Sequence, residues 1–172
     1  MNKIKALAFL TVLAAGLGST VPTSSAEGDN KNSPISGDTA PAGYRDWKLI
    51  SVAHEEGDLN DLRAILGNDI AVKAYRDGKL PFPDGAIIAR LAWRYVPSEE
   101  NDKVFGRKQS FVAGAPTNVQ FMVKDSQKFA STGGWGFVQF NDGKPAPMDA
   151  QACYSCHVPV KDRDFLFTRY SP

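Results

Sequence analysis

The chain has 172 residues, 42% of them apolar, which is enough for one domain with a core and too little for two. Lys and Arg number 20 and Asp and Glu 19, for a formal charge of +1. That balance excludes the basic footprint of a nucleic-acid-binding protein or of one drawn to an anionic membrane surface.

The first elements are processing signals. "MNKIK" is basic, "ALAFLTVLAAGL" is an apolar run too short to span a bilayer, and "TVPTSSA" sets Ser24 and Ala26 at minus three and minus one from a cut. Residues 1–26 therefore read as a secretory signal peptide, with an uncleaved anchor as the alternative. Cleavage removes Lys3 and Lys5 and no acid, so the mature chain turns slightly negative. The expected location is periplasmic or otherwise exported, where thiols do not stay reduced by default. Residues 27–43, "EGDNKNSPISGDTAPAG", are polar, hold Pro34 and Pro41, and read as a flexible linker.

The domain then spans 44–172. "WKLISVAHE" (47–55) has strand composition, and "LRAIL" (62–66) a shorter one. Asn68 or Asp69 can cap a helix running through Asp77 and ended by Gly78. "LPFPDG" is a turn. "AIIARLAWRYV" (86–96) alternates with period two. Ile87, Ala89, Leu91, Trp93 and Tyr95 form its core side. Arg90 lies on the mixed side, between Ile88 and Ala92, and read from the strand alone it is a solvent-facing arginine. "QSFVAG" (109–114), "NVQFMV" (118–123) and "WGFVQF" (135–140) add strands, with a short helix "SQKFAS" capped by Asp125 between the last two. "NDG" (141–143) is a turn, and "MDAQACYSCH" a short helix with Asp149 as its cap. "DFLFTRY" closes the chain with apolar side chains. The sum is an α+β domain on a mostly antiparallel sheet with a few short helices.

The two cysteines of the chain and one of its two histidines stand together as Cys153, Cys156 and His157. C-x-x-C-H is the attachment pattern of a c-type haem. One helical turn presents both sulfurs to neighbouring vinyl groups for thioether bonds, and the adjacent histidine reaches the iron as proximal ligand. Three other readings compete. A disulfide across two residues closes a small loop of little stabilising value. A thioredoxin-like motif lacks its β-α-β setting. Zinc needs a fourth ligand, and His54 is the only other histidine. One covalently attached haem c, near the C-terminus, is the expected cofactor.

Beyond that motif, "YRDWKLISVA", "DLND", "FPDGAIIARL", "VKDSQKFA", "GWGFVQF", "ACYSCH" and "DFLFTRYSP" give the chain, from Tyr44 to Pro172, a resemblance to the cytochrome P-460 family, including the β-sheet cytochromes c′ called c′-beta. The resemblance implies a single c-type haem against a curved antiparallel sheet, commonly in a homodimer, with an open distal site for nitric oxide or another small nitrogen-oxide ligand. It also implies that hydroxylamine-oxidising members carry a lysine bonded to the haem edge, at the position of Arg90 here. Arginine stays protonated and is a poor nucleophile, and Lys73 and Lys79 are off the pattern. Arg90 thus becomes a candidate distal donor or propionate partner, with Ile65 and Leu66 as apolar distal residues or ordinary core. Three functions remain open. They are a small-ligand haem protein, a hydroxylamine- or peroxide-using oxidoreductase, and an electron carrier with His54, Met122, Met148 or a lysine as sixth ligand and another cytochrome as redox partner.

Overall fold

The computed structural model describes residues 38–171, so the signal-peptide reading of residues 1–26 lies outside the described residues. One open sheet of six strands runs antiparallel in chain order: β1 (Lys48–Glu55), β2 (Asp61–Gly67), β3 (Ile87–Pro97), β4 (Phe111–Lys124), β5 (Trp135–Asn141) and β6 (Lys144–Ala146). Three short helices accompany it: α1 (Asp69–Arg76), α2 (Glu99–Phe105) and α3 (Ala150–His157). This is the α+β class with an antiparallel sheet.

Both faces of the sheet are covered, which explains the run of apolar residues on either side of β3. On one face Leu66, Ile87, Ala89, Leu91, Phe121, Val123 and Phe140 form a core, closed by Tyr44, Trp47 and Phe129. Ala40 packs here too, and Pro41 is buried, so the end of the stretch read as a linker lies against the domain. On the other face Ile50, Ile65, Ile88 and Trp135 pack against Ala71, Val72 and Ala74 of α1 and Leu166 of the C-terminal tail. α1 starts where the sequence suggests. Asn68 accepts from the Ala71 N–H at 3.0 Å, and the same oxygen takes the Ile87 N–H at 3.1 Å, tying the helix start to β3. The tail is fastened by Ser171 N–H to the Ile50 carbonyl at 2.8 Å.

Four local readings change. The stretches 109–114 and 118–123 are one strand, β4, which runs through Pro116. Pro116 lies opposite Trp93 at a register shift, and β5 pairs only with Val119–Lys124, so the proline falls in an irregular half of β4 with one side unpaired, the kind of place a strand tolerates it. The expected helix at 126–131 is a turn followed by a 3-10 turn at Ala130–Thr132. Asp125 accepts from the Gln127 and Lys128 N–H groups, and the left-handed Gly133 and Gly134 reverse the chain before a helix can grow. α2 was not anticipated, although Ser98 caps its start and Gly106 its end. β6 forms because Asp142 and Gly143, both left-handed, make the turn that a two-residue hairpin requires.

Candidate functional site

α3 carries the three motif residues. Asp149 accepts from the N–H groups of Gln151 at 2.9 Å and Ala152 at 3.3 Å, as expected of an N-cap. Cys153 and His157 are four residues apart and Cys156 three from Cys153, so one turn of helix presents all three on adjoining positions. Both thiols are free, Cys153 partly buried and Cys156 exposed. Burial first, then the charges of Asp149 and Cys156, pushes the Cys153 thiol up, which keeps it a neutral thiol near neutral pH. α3 has no buried residue of its own. The apolar surface beside it is Phe137, 5.4 Å from the His157 ring, and Phe167, 5.1 Å away and 54% exposed. An open apolar surface around an outward helix fits a flat apolar group bonded to that helix.

The histidine is oriented. His157 Nδ1 lies 2.6 Å from the carbonyl of Phe165. A carbonyl only accepts, so Nδ1 carries the hydrogen and Nε2 keeps its lone pair for a metal. The carbonyl comes from a corner in which two successive non-glycine residues, Asp164 (φ 51) and Phe165 (φ 66), are left-handed. That conformation costs about 1–2 kcal/mol per residue. The corner is held by a buried ion pair. Lys124 Nζ donates to both Asp164 oxygens, at 2.7 and 2.9 Å, and to the Gly133 carbonyl at 3.2 Å, while the Phe82 N–H donates to Asp164 at 2.8 Å.

Strand pairing then fixes what shares a face with this histidine. Residues directly opposite in an antiparallel ladder project to the same side. Met122 is opposite Phe137 and Ile88, and Gln120 is opposite Gln139 and Arg90. Arg90 is opposite Ile65. The face that meets His157 through Phe137 is therefore the face of Arg90. It is apolar toward α1 and polar beyond. Arg90 does not point freely to solvent, as the strand alone suggested; its side chain is 17% exposed. It donates to Asp61 at 2.8 Å, Gln120 at 2.6 Å and Asn118 at 2.9 Å. The band continues on both sides. Arg63 donates to Asp61 at 2.7 Å and pairs with Glu55 at 3.1 Å. Gln120 donates to Gln139 at 2.7 Å, and Gln139 to Asn141 at 3.0 Å.

The electrostatics of that band are unequal. Two guanidiniums share one sealed carboxylate, Asp61, and the second acid, Glu55, is half exposed. Desolvation, and after it the neighbouring Arg63, pulls the Arg90 guanidinium below its ordinary value, with Asp61 opposing. It remains protonated. Its Nε is buried without a partner among the described residues. Two guanidiniums on one sealed carboxylate, and an Nε–H left without a partner, suit an anionic group such as a propionate or an anionic iron ligand.

The remaining named residues separate. Ile65 lies on the Arg90 face, whereas Leu66 joins the opposite core. Met122 shares the Arg90 face, packed beside Phe137. His54 is opposite Leu62, on the other face, where it stacks on Tyr95 at 3.9 Å. Met148 is half-buried, one residue ahead of the Asp149 cap. Lys73 is exposed and paired with Asp77 at 2.6 Å, and Lys79 lines a cleft with Tyr75, Phe82 and Tyr170. Among the described residues no three His, Cys, Asp or Glu side chains cluster to hold a metal ion by themselves. Sequence reasoning passed over Asp61, Gln120, Lys124 and Asp164. Their partnerships across the fold, Asp61 and Gln120 with Arg90 and Lys124 with Asp164, span 29 to 40 residues of chain, beyond the reach of local pattern.

A search of the curated proteins found no match. The family model for cytochrome P460 matches residues 41–168, most of the chain and nearly all of the domain described above. That family implies a haem cofactor, and the thiols, the oriented imidazole and the apolar surface around α3 are chemically suited to one. The chain belongs to the cytochrome P460 family and is a haem cytochrome of that family.

Proposed function

We propose that the protein is an exported monohaem c-type cytochrome with an open iron site for nitric oxide or another small nitrogen-oxide ligand. Cys153 and Cys156 would hold the haem through thioethers, and His157 would be the proximal ligand. When bound, the haem would supply an iron able to bind a small molecule. The observation that carries the reading is the 2.6 Å bond from His157 Nδ1–H to the Phe165 carbonyl, which leaves the Nε2 lone pair available to a metal on the same turn as both thiols.

Arg90 favours ligand binding over the lysine-linked chemistry of the hydroxylamine-oxidising members. Its guanidinium is already committed to Asp61, Gln120 and Asn118 and cannot act as a nucleophile at the haem edge. The same residue supports a second reading, a peroxide-using oxidoreductase, because its buried, unpartnered Nε–H could stabilise negative charge on an oxygen ligand. A homodimer belongs to the proposal. Leu49 (47%) and Val52 (72%) are exposed on β1, an edge strand whose apolar side chains a second copy would cover. An electron-transfer cytochrome is the expected redox partner.

The mass of the mature protein is the first test. Polypeptide from residue 27 plus one haem supports the signal cleavage and the attachment together. Cys153→Ala with Cys156→Ala should give protein from which acid-acetone strips all haem; retention would overturn the thioether assignment. A five-coordinate high-spin spectrum supports the open site. Low-spin haem would favour an electron carrier, and a strongly red-shifted ferrous band a haem-edge cross-link.

A further inference from the structure

A buried ion pair is weak evidence for stability, since apolar side chains of similar volume often replace one at no loss. What such a pair does supply is fixed geometry, and the Lys124–Asp164 pair stands at a place where geometry is demanding. Phenylalanine disfavours a left-handed backbone, and Phe165 adopts it directly after another left-handed residue. Strain of this kind persists only where the surroundings over-determine it. Here they do so from two sides. Asp164 is held by Lys124 on both oxygens and by the Phe82 N–H. The Phe165 ring occupies the space that a side chain on Gly133 would need, and the Gly133 carbonyl accepts from the same Lys124. One ammonium therefore grips the residue before the corner and the glycine beneath its ring. Lys124 and Asp164 are 5% and 6% exposed, so water does not compete for either.

We propose that the Lys124–Asp164 pair is the positioning device of the proximal ligand, holding the Asp164–Phe165 corner so that the Phe165 carbonyl meets the His157 Nδ1–H. The inference rests on His157 being the iron ligand. Neither residue touches the imidazole. They act through the carbonyl, whose hydrogen bond fixes the tautomer and raises the basicity of Nε2. A stronger nitrogen donor favours ferric over ferrous iron. Releasing the clamp lets Phe165 relax toward ordinary φ, swings the carbonyl away, and weakens that preference.

The test uses the haem-loaded protein. Wild type is first checked by mass and by the loss of its proximal nitrogen signature in His157→Ala; failure there sinks the haem-ligand reading rather than this one. Asp164→Asn should then lower the iron–histidine stretching frequency of the ferrous protein. It should also raise the reduction potential by about 59 mV, the one-electron equivalent of a tenfold loss in relative ferric affinity at the low end of outer-shell effects. Should Asp164→Asn fail to accumulate, the neutral pair Lys124→Gln with Asp164→Asn, which buries no lone charge, decides; it should move both readouts in the same direction. Phe140→Leu, a truncation in the core on the opposite face of the sheet, should leave them at wild-type values. Wild-type frequency and potential in a folded clamp variant would overturn the proposal. So would an equal shift in Phe140→Leu, which would trace the effect to general loosening.

Discussion

The two buried ion pairs on the site face, Arg90–Asp61 and Lys124–Asp164, are built differently. Asp164 receives three donors, and its one cation is itself shared only with a carbonyl and the face of Trp135, 4.9 Å from the ring centre. That pair is neutral and closed. Asp61 is shared between two guanidiniums, and Arg90 keeps a donor unspent. That pair is shared and unfinished. A closed pair can only hold geometry; an unfinished one can still answer a ligand.

The contrast can be broken by taking the cation from each. Lys124→Met strands a sealed carboxylate and should cost about 3–5 kcal/mol in a denaturant titration. Arg90→Leu leaves Asp61 still bonded to Arg63 and should cost less, about 1–2 kcal/mol. Haem content should be unchanged in Arg90→Leu, while ferric anion affinity falls. Equal stability losses in the two variants would erase the distinction between the pairs. Unaltered anion affinity would remove Arg90 from the ligand's surroundings.

A smaller effect comes from a carboxylate that belongs to neither pair. The backbone N–H groups of Gln109 and Ser110, each 2.8 Å from Asp102, hold its carboxyl below the ordinary 3.8. A lowered folded value means that the contribution to stability is present above the ordinary carboxylate range and is lost as pH falls through the folded value. The amide resonances of Gln109 and Ser110 should titrate with a midpoint under 3.8. A midpoint at the ordinary value would show that these bonds are not made in solution.

What the sequence made legible follows the range of each interaction. The caps Asn68 and Asp149 bond within three residues of themselves, and both were readable as composition next to a periodic run. The motif on α3 was readable for the same reason, because one helical turn does the presenting. Arg90 was found as a charge on a strand, yet its burial was not, since Asn118, Asp61 and Gln120 lie 28, 29 and 30 residues away. Lys124 and Asp164, 40 apart, gave no local sign at all. α2 is a different case. Ser98, two glutamates and Gly106 did mark it, but its seven residues bury nothing, so no apolar period drew the eye.

The polar band has a consequence for assembly of the sheet. From Glu55 to Asn141 it links β1 through β5 in a chain of side-chain bonds that closes only at one alignment. Slipping any of these strands by one residue would turn its whole set of side chains over. Leu91 would then stand where Arg90 stands, and Val119 or Val138 where Gln120 or Gln139 do, with the guanidinium stranded in the opposite apolar layer. The band is thus a ruler for strand alignment, selecting the correct register during folding by penalising each neighbouring one.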